Sequence, residues 1–248
     1  MKRLLFTITL SILAFTVKGQ SMFGLPAIDG PYMDRGFNLF LVLPSFMTSS
    51  HSNINRLLVE NGYPYIPRGS LNYGLGMSYR WNRIEPSFDF AIGNQLRSNP
   101  ALGSELLRRP INFNLNLNYI LFRWDYMTIG PFVGLGLTET NLILSKPSTD
   151  NDFGSILANP STTVNINHVS DGLLAGFSVA VQGLKQEATG IFRLKFAYRI
   201  PFNEGYTWES NFSNFSRTPL DNFPYFFIQF EMGVGGNWKK GDPWMDRY

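Results

Sequence analysis

The most constraining feature of this 248-residue chain is a strict two-residue alternation of apolar and polar side chains. Residues 111–119 read INFNLNLNY, so that five apolar or aromatic residues alternate with four asparagines. The same alternation runs through SLNYGLGMSYR at 70–80. In a β-strand this spacing places every apolar side chain on one face. The pattern therefore predicts strands that separate an apolar environment from a polar one.

Eight segments show this alternation, at 35–44, 70–80, 84–94, 111–122, 127–139, 171–182, 189–200 and 224–236. Each is about 10 to 14 residues long. Strands in soluble domains most often have about 5–6 residues, whereas a tilted strand needs about 9–11 to cross a membrane. The segment length favours strands that span a membrane.

The connections between these segments alternate between short and long. The short turns lie at 81–83, 123–126 and 183–186, and the long connections cover 45–69, 95–110, 140–170 and 201–223. An up-and-down membrane barrel has short periplasmic turns and long extracellular loops. The sequence thus predicts an all-β fold, an eight-stranded antiparallel up-and-down transmembrane β-barrel. A soluble exported β-sandwich is the alternative fold, but it gives no reason for loops to be sorted by length.

The beginning of the chain has the composition of an export signal. Met1-Lys2-Arg3 is positively charged, and residues 4–17 form an uncharged apolar run that is too short to span a bilayer. Small residues then precede Gln20. We expect 1–19 to be a cleaved signal peptide, 20–236 the outer-membrane barrel and 237–248 a C-terminal periplasmic tail.

Composition excludes several classes of function. The chain has no cysteine, which excludes disulfide scaffolds, thiol enzymes and iron–sulfur proteins. Residues 1–19 hold three of the 21 basic residues and none of the 18 acidic ones, so the remaining chain is balanced at 18 of each. Such a balance gives no electrostatic signature for nucleic acid. Asp150–Gly154 resembles the start of a calcium loop, but Ser161 stands where the closing glutamate is required. We expect no metal and no cofactor.

Aromatic residues gather where the short turns and the end of the last strand are expected. Tryptophan and tyrosine favour the headgroup level of a membrane, because one part of the ring is apolar and another can hydrogen-bond. We expect an interface aromatic girdle formed by Tyr79, Trp81, Tyr119, Trp124, Tyr126 and Trp238.

The polar faces of four segments carry charges of both signs. A hairpin register with Ile200 opposite Pro224 places Arg193 opposite Glu231. Because eight strands enclose an interior just wide enough for side chains, these charges are expected to fill the lumen. The predicted ion-pair plug comprises Arg80, Glu85, Asp89, Arg193, Lys195 and Glu231. A conducting path or proton relay through the same residues is the alternative.

The signal ending before Gln20, the eight-segment layout and GPFVGLG at 130–136 resemble small outer-membrane β-barrel proteins of the OmpX, OmpW and PorT-like type. The resemblance covers nearly all of the mature chain and implies location in the outer membrane of a Gram-negative bacterium. It implies no particular activity, because this class includes adhesins, structural proteins, secretion accessories and a few enzymes.

One short motif suggests an enzyme. His168-Val169-Ser170 precedes the sixth segment and resembles the His-x-Ser pair of outer-membrane lipid A deacylases, in which serine attacks an ester and histidine takes its proton. Here Asp171 stands where asparagine usually follows, and Gln182 stands near where an orienting acid is needed. A polar residue at a strand start is the simpler interpretation. His51, in the first long connection, is expected to be a solvated loop residue.

These features together predict a non-enzymatic outer-membrane protein that acts through its extracellular loops. We expect a monomeric barrel whose loops contact outer-membrane lipids, lipopolysaccharide or other envelope proteins, as an accessory of a secretion or envelope assembly system. No nucleic-acid partner is expected. The alternatives are a narrow channel for small solutes and a lipid A acyl hydrolase that uses His168 and Ser170.

Overall fold

The computed structural model describes residues 32–49, 51–146, 163–210, 219–221 and 225–239. The secondary-structure elements are β1 (Arg35–Ser49), α1 (Ser52–Glu60), β2 (Gly69–Trp81), β3 (Ile84–Gly93), β4 (Gln95–Asn99), β5 (Ser104–Tyr119), β6 (Phe122–Arg123), β7 (Met127–Ser145), β8 (Thr163–Gln182), β9 (Ala188–Pro201), β10 (Tyr206–Glu209), β11 (Leu220–Asp221) and β12 (Tyr225–Trp238). The predicted signal peptide, the segment Asp150–Gly154 and the chain after Lys239 lie outside the described residues.

Eight long strands form a closed antiparallel barrel. In order around the barrel they are β1, β2, β3, β5, β7, β8, β9 and β12, and each pairs with the next strand along the chain. The sheet closes because β12 pairs with β9 on one side and with β1 on the other. Closure leaves no unpaired edge around the wall of the barrel. The predicted eight-stranded up-and-down architecture is confirmed.

The eight predicted segments correspond to these strands, but several boundaries were wrong. β4 and β5 form a hairpin joined by the four residues 100–103, so most of the connection predicted at 95–110 is strand. β7 continues to Ser145 and β8 begins at Thr163, within the connection predicted at 140–170. β12 continues to Trp238, so Asn237 and Trp238 belong to the barrel and not to the predicted tail. The strand pairing continues in these places although the apolar alternation that marked the segments has ended.

The outward face of the barrel is apolar and exposed. It is formed by the outward side chains of 37–46, 71–79, 84–92, 111–119, 127–137, 173–181, 192–200 and 226–234, and we call it the apolar belt. None of these outward side chains is charged or carries an amide. Leu75 and Leu115 are each 56% exposed. An apolar surface that encircles a protein is compatible with lipid and not with water. Among the described residues, no helix is long and apolar enough to cross a membrane.

At one end of the barrel the chain forms a folded cap. The cap consists of α1, β4, β10, β11 and the ends of β5, β7 and β8 that extend beyond the apolar belt, namely 104–110, 139–145 and 163–170. Its buried core is apolar and comprises Ile54, Leu58, Ile66, Leu106, Leu142, Leu144, Ile166 and Trp208. The cap therefore buries apolar side chains in its interior, as a water-soluble domain does.

Asp221 fixes α1 to the rest of the cap. Its carboxylate accepts hydrogen bonds from the backbone N–H groups of Asn53 and Ile54, at 3.0 and 3.1 Å. These groups belong to the first turn of the helix, where backbone N–H groups have no partner within the helix. The same carboxylate accepts a hydrogen bond from Trp208 Nε1 at 3.0 Å. One side chain on β11 thus joins α1 to β10.

Candidate functional site: the barrel interior and the cap

Five of the six predicted plug residues form one chain of ion pairs across the lumen. Arg193 on β9 contacts Glu85 on β3, and its Nη1 lies 3.2 Å from Glu231 Oε2. Lys195 Nζ lies 2.7 Å from Glu231 Oε1 and 3.5 Å from Asp89 Oδ2. All five side chains belong to residues that are at most 2% exposed. Charges of alternating sign therefore cross the lumen from β3 to β9 and β12 and return to β3.

The backbone register explains why these residues meet. β9 and β12 pair with Arg193 opposite Glu231 and Lys195 opposite Gln229, as the hairpin register predicted. Arg193 and Lys195 both point inward from β9, and Glu231 faces them from the neighbouring strand β12. The two remaining carboxylates, Glu85 and Asp89, reach across from β3.

Neutral side chains complete the surroundings of the ion pairs. Asn114 and Asn116 donate to the two oxygens of Asp89 at 2.7 and 3.1 Å. Gln229 donates to Glu231 at 2.8 Å. Phe40 lies inward on β1, with its ring centroid 5.6 Å from Lys195 Nζ. These contacts matter because buried charges are stable only when their hydrogen-bonding capacity is satisfied.

Arg80, the sixth predicted plug residue, lies nearer the end of the barrel with the short turns. Among the described residues, no carboxylate lies within ion-pair distance of it. Its Nη2 donates to Asn237 Oδ1 at 2.6 Å and to the backbone oxygens of Met33 and Arg35 at 3.4 Å. Sequence reasoning missed Asn237, because that residue was assigned to the tail.

Residues 32–34 cross this end of the barrel. They precede β1, yet Met33 N donates to Leu184 O at 3.0 Å and Tyr32 Oη donates to Asp125 at 3.2 Å. Leu184 belongs to the turn between β8 and β9, and Asp125 belongs to the turn before β7, so β12 and β9 stand between β1 and these turns in the wall of the barrel. Lys185 Nζ lies 2.8 Å from Asp125 Oδ1. Burial and the neighbouring Asp125 raise the pKa of the Tyr32 hydroxyl. The crossing covers the lumen at the end where the short turns lie.

A layer of arginine and histidine side chains lies between the ion-pair plug and the core of the cap. Arg108 donates to Pro67 O at 3.3 Å and to Gln95 Oε1 at 3.2 Å, and burial lowers its pKa to about 10. His51 Nε2 lies 2.7 Å from Ser49 Oγ. Burial, followed by the charge of Arg108, lowers the pKa of His51 well below its ordinary value. The expectation that His51 is a solvated loop residue is wrong, because α1 and its flanking segments cover it and leave it 2% exposed.

The structure places His168 and Ser170 on the inward face of β8, in the part of the strand that belongs to the cap. Both side chains point inward from β8, at 1% and 0% exposure. Ser170 Oγ accepts a hydrogen bond from Arg199 Nη2 at 2.6 Å, and the His168 ring lies 4.8 Å from the Trp208 ring. Burial lowers the pKa of His168 to about 4. A serine nucleophile that attacks a membrane lipid has to reach the lipid, and this pair faces away from the apolar belt.

The six aromatic residues predicted as a girdle all lie at the end of the barrel with the short turns. Tyr79, Trp81 and Tyr119 point outward and are exposed, and the other three are half-buried. The rings of Tyr79 and Trp238 lie 6.2 Å apart, and Phe122, which sequence analysis did not select, stacks on Trp124 at 5.9 Å. Their location at a membrane interface stays a prediction.

No part of the described chain brings together three or more histidine, aspartate or glutamate side chains in a group that could hold a metal ion. The charged groups of the interior are engaged with one another, with asparagines or with backbone oxygens. What this arrangement provides is a filled, cross-linked barrel that holds the cap in place.

No protein-family model matches this chain, and no curated protein matches it. Three solved structures illustrate the similarity in fold. Ail, the attachment invasion locus protein of Yersinia pestis, solved with the heparin analogue sucrose octasulfate, is 8% identical with a TM-score of 0.48, over 82% of this chain and 99% of that chain. Neisserial surface protein A is 9% identical with a TM-score of 0.36, over 84% and 100%. The outer membrane protease OmpT from Escherichia coli is 8% identical with a TM-score of 0.38, over 85% and 99%. A fold by itself does not decide the activity of a protein.

Proposed function

We propose that this protein is a non-enzymatic barrel of the bacterial outer membrane whose cap contacts molecules outside the cell. The observation that carries the proposal is the opposite polarity of the two parts. The barrel is apolar outside and encloses ion pairs beside smaller apolar clusters, which suits lipid, whereas the cap is apolar only in its interior, which suits water. A protein with both parts is anchored in a membrane and presents a folded surface beyond it.

The surface of the cap supports an interaction role. It exposes four large apolar or aromatic side chains on α1, on the segment that follows it, on β4 and on the turn after β4. These are Val59, Tyr65, Leu96 and Leu102, each at least 55% exposed. Binding residues are often carried by connecting segments that a rigid scaffold holds in place. We propose that the partners are lipopolysaccharide or another envelope protein, and that the barrel acts as a monomer.

The filled interior makes a channel the weaker alternative. Arg193 and Glu231 are at most 2% exposed, so the packed side chains around them shield them from bulk water. The crossing residues cover one end of the lumen and the cap covers the other. We expect no single-channel conductance from the protein in planar bilayers. Conductance steps that change when Arg193→Gln is introduced would support the channel instead.

The proposed orientation is tested by labelling single cysteines, because the chain has none of its own. Val59→Cys places a thiol on the exposed face of the cap, and Arg83→Cys places one at a short turn. We expect a membrane-impermeant maleimide to label Val59→Cys on intact cells. Arg83→Cys should react only after the outer membrane has been permeabilised. The reverse result would show that the cap faces the periplasm.

The interaction role is tested by placing a photo-crosslinking amino acid at Leu102 in living cells. We expect adducts with lipopolysaccharide or with an envelope protein that do not form from a matched position at Arg83. If both positions give the same adducts, the cap has no specific partner and the contact proposal fails. The role of the barrel as a membrane anchor is tested separately, by measuring whether the unheated protein resists unfolding in SDS.

A further inference from the structure

An apolar groove opens in the cap between α1 and the extended ends of β7 and β8. Its volume is about 240 Å³. Most of its wall is aliphatic, and it is formed chiefly by Leu57, Leu58, Leu144, Val164, Ile166 and Trp208. Leu57 and Val164 remain 36% and 37% exposed at its mouth. The groove is an accessible apolar surface in the part of the protein that otherwise buries such side chains.

The groove lies clear of the apolar belt. Ile166 is five residues from Asp171, the outward residue at which the belt ends on β8. At about 3.3 Å per residue in a strand, this separation is about 16 Å along the chain. Acyl chains held in the bilayer do not reach that far, so an occupant comes from the aqueous side.

One cation stands at the rim of the groove. Lys146 Nζ donates to Asn61 O at 2.7 Å and lies 4.7 Å from the ring centroid of Tyr63. Asn61 and Tyr63 both line the groove. The ammonium group is therefore held beside an apolar wall by two residues of that wall, and it is exposed to solvent.

An aliphatic wall with an ammonium group at its edge matches an amphiphile with an alkyl chain and an anionic head. Pockets for drug-sized ligands usually measure about 300–1,000 Å³, so this smaller groove suits one alkyl chain of medium length. We propose that the groove binds a single-chain anionic amphiphile of the fatty-acid class, with its carboxylate directed toward Lys146. This inference names a ligand for the cap and goes beyond the proposed function, which concerns macromolecular contacts.

The proposal is tested with octanoate and the full-length protein in lipid nanodiscs. Trp208 forms part of the wall, so its emission, obtained by difference from Trp208→Phe, reports occupancy. Leu57→Glu places a carboxylate in the mouth of the groove and should weaken octanoate binding about tenfold or more, equivalent to about 1.4 kcal/mol. Val59→Glu is the matched control, since Val59 lies on the same helix outside the groove and is 59% exposed. Its affinity should stay within about twofold.

The charge of the head group is tested separately. Lys146→Gln should weaken octanoate binding about threefold and leave octan-1-ol binding unchanged, because an exposed ion pair contributes about 0.2–1 kcal/mol. Octylammonium should bind more weakly than octanoate.

The proposal is overturned if octylammonium binds as tightly as octanoate, or if the Leu57→Glu protein binds octanoate as tightly as the unchanged protein does. It is also overturned if only an apolar peptide alters the Trp208 emission, which would make the groove a peptide site. Cell-surface labelling of Val59→Cys is independent of all these outcomes, so failure here leaves the proposed function standing.

Discussion

The barrel and the cap are built from the same strands but reverse their polarity where they meet. On β7 the outward side chains change from Leu137 to Glu139, and the inward ones change from Thr140 to Leu142. The alternation of two residues persists, but the apolar phase moves from the outside to the inside. In the proposed membrane placement, the change marks the level at which the surroundings change from lipid to water. The two halves of one strand therefore depend on different forces.

The apolar belt contributes little through the hydrophobic effect, because in the proposed membrane it contacts lipid and not water. The interior of the barrel is held by ion pairs, by hydrogen bonds such as those from Asn114 and Asn116 to Asp89, and by buried apolar clusters around Phe40 and Phe227. The core of the cap, around Trp208, is apolar and holds no ion pair among the described residues. Neutralising a charge of the plug should therefore damage the barrel, and truncating an apolar side chain of the cap core should damage the cap.

The largest expected effect is that of Glu231→Gln. Glu231 contacts both Arg193 and Lys195, so its neutralisation leaves two buried cations with one fewer carboxylate. Breaking a buried ion pair from one side costs about 3–5 kcal/mol. The free energy of unfolding, measured by urea titration in detergent micelles, should fall by that amount.

Glu139→Gln is the control for this change, because Glu139 faces outward at the edge of the belt. Its effect should be within about 0.5 kcal/mol. Equal stability of the Glu231→Gln protein and the unchanged protein would mean that the ion pairs do not hold the barrel.

Truncation of Trp208 to alanine should damage the cap and leave the barrel closed. The indole is 1% exposed and packs in the core of the cap, and removing such a side chain costs about 3–5 kcal/mol. Hydrogen exchange of α1 should become faster, while the shift in gel mobility on heating in SDS should remain. Loss of that shift would show that cap and barrel unfold as one unit.

A charge on the outward face should distinguish the two solvents along β7. Leu135→Arg introduces a cation into the apolar belt, where the cost is about 2–4 kcal/mol near the bilayer midplane and falls toward its edges. Glu139→Arg changes the same face of the same strand beyond the belt and should cost less than about 1 kcal/mol. Refolding yields into phospholipid vesicles measure both. Similar costs at the two positions would contradict the assigned limit of the belt.

The smallest expected effect is the acid sensitivity of the cap. Burial lowers the pKa of His168 to about 4, so the neutral ring stabilises the cap above the unfolded value near 6.5. That contribution is lost as the pH falls from about 6.5 toward 4, and the loss should reach about 2 kcal/mol at pH 5. The change in Trp208 emission with pH measures it.

His168→Gln should flatten this pH dependence without altering the heat-induced gel shift. An unchanged acid response in this variant would assign the sensitivity to another group, of which His51 is the nearest candidate.

The barrel was predictable because its information is local. Alternation within each segment identifies the strands, and the hairpin between β9 and β12 sets Arg193 opposite Glu231 once a register is chosen. The cap was missed because its contacts are distant in sequence: Asp221 binds Ile54 across 167 residues. One local signal was available. Ile54, Leu57 and Leu58 have the spacing of an amphipathic helix within the first long connection.

The path of residues 32–34 has a consequence for attaching other polypeptides to this barrel. A sequence fused ahead of Tyr32 begins beside Asp125 and Lys185. A sequence fused after Trp238 follows Asn237, which donates to Gly183 O and Gln186 O at 3.0 and 2.8 Å in the same turn as Lys185. The two attachment points therefore lie close together on the rim. Two polypeptides attached in this way would compete for the same space, so a single fusion at one of the two ends suits this barrel better.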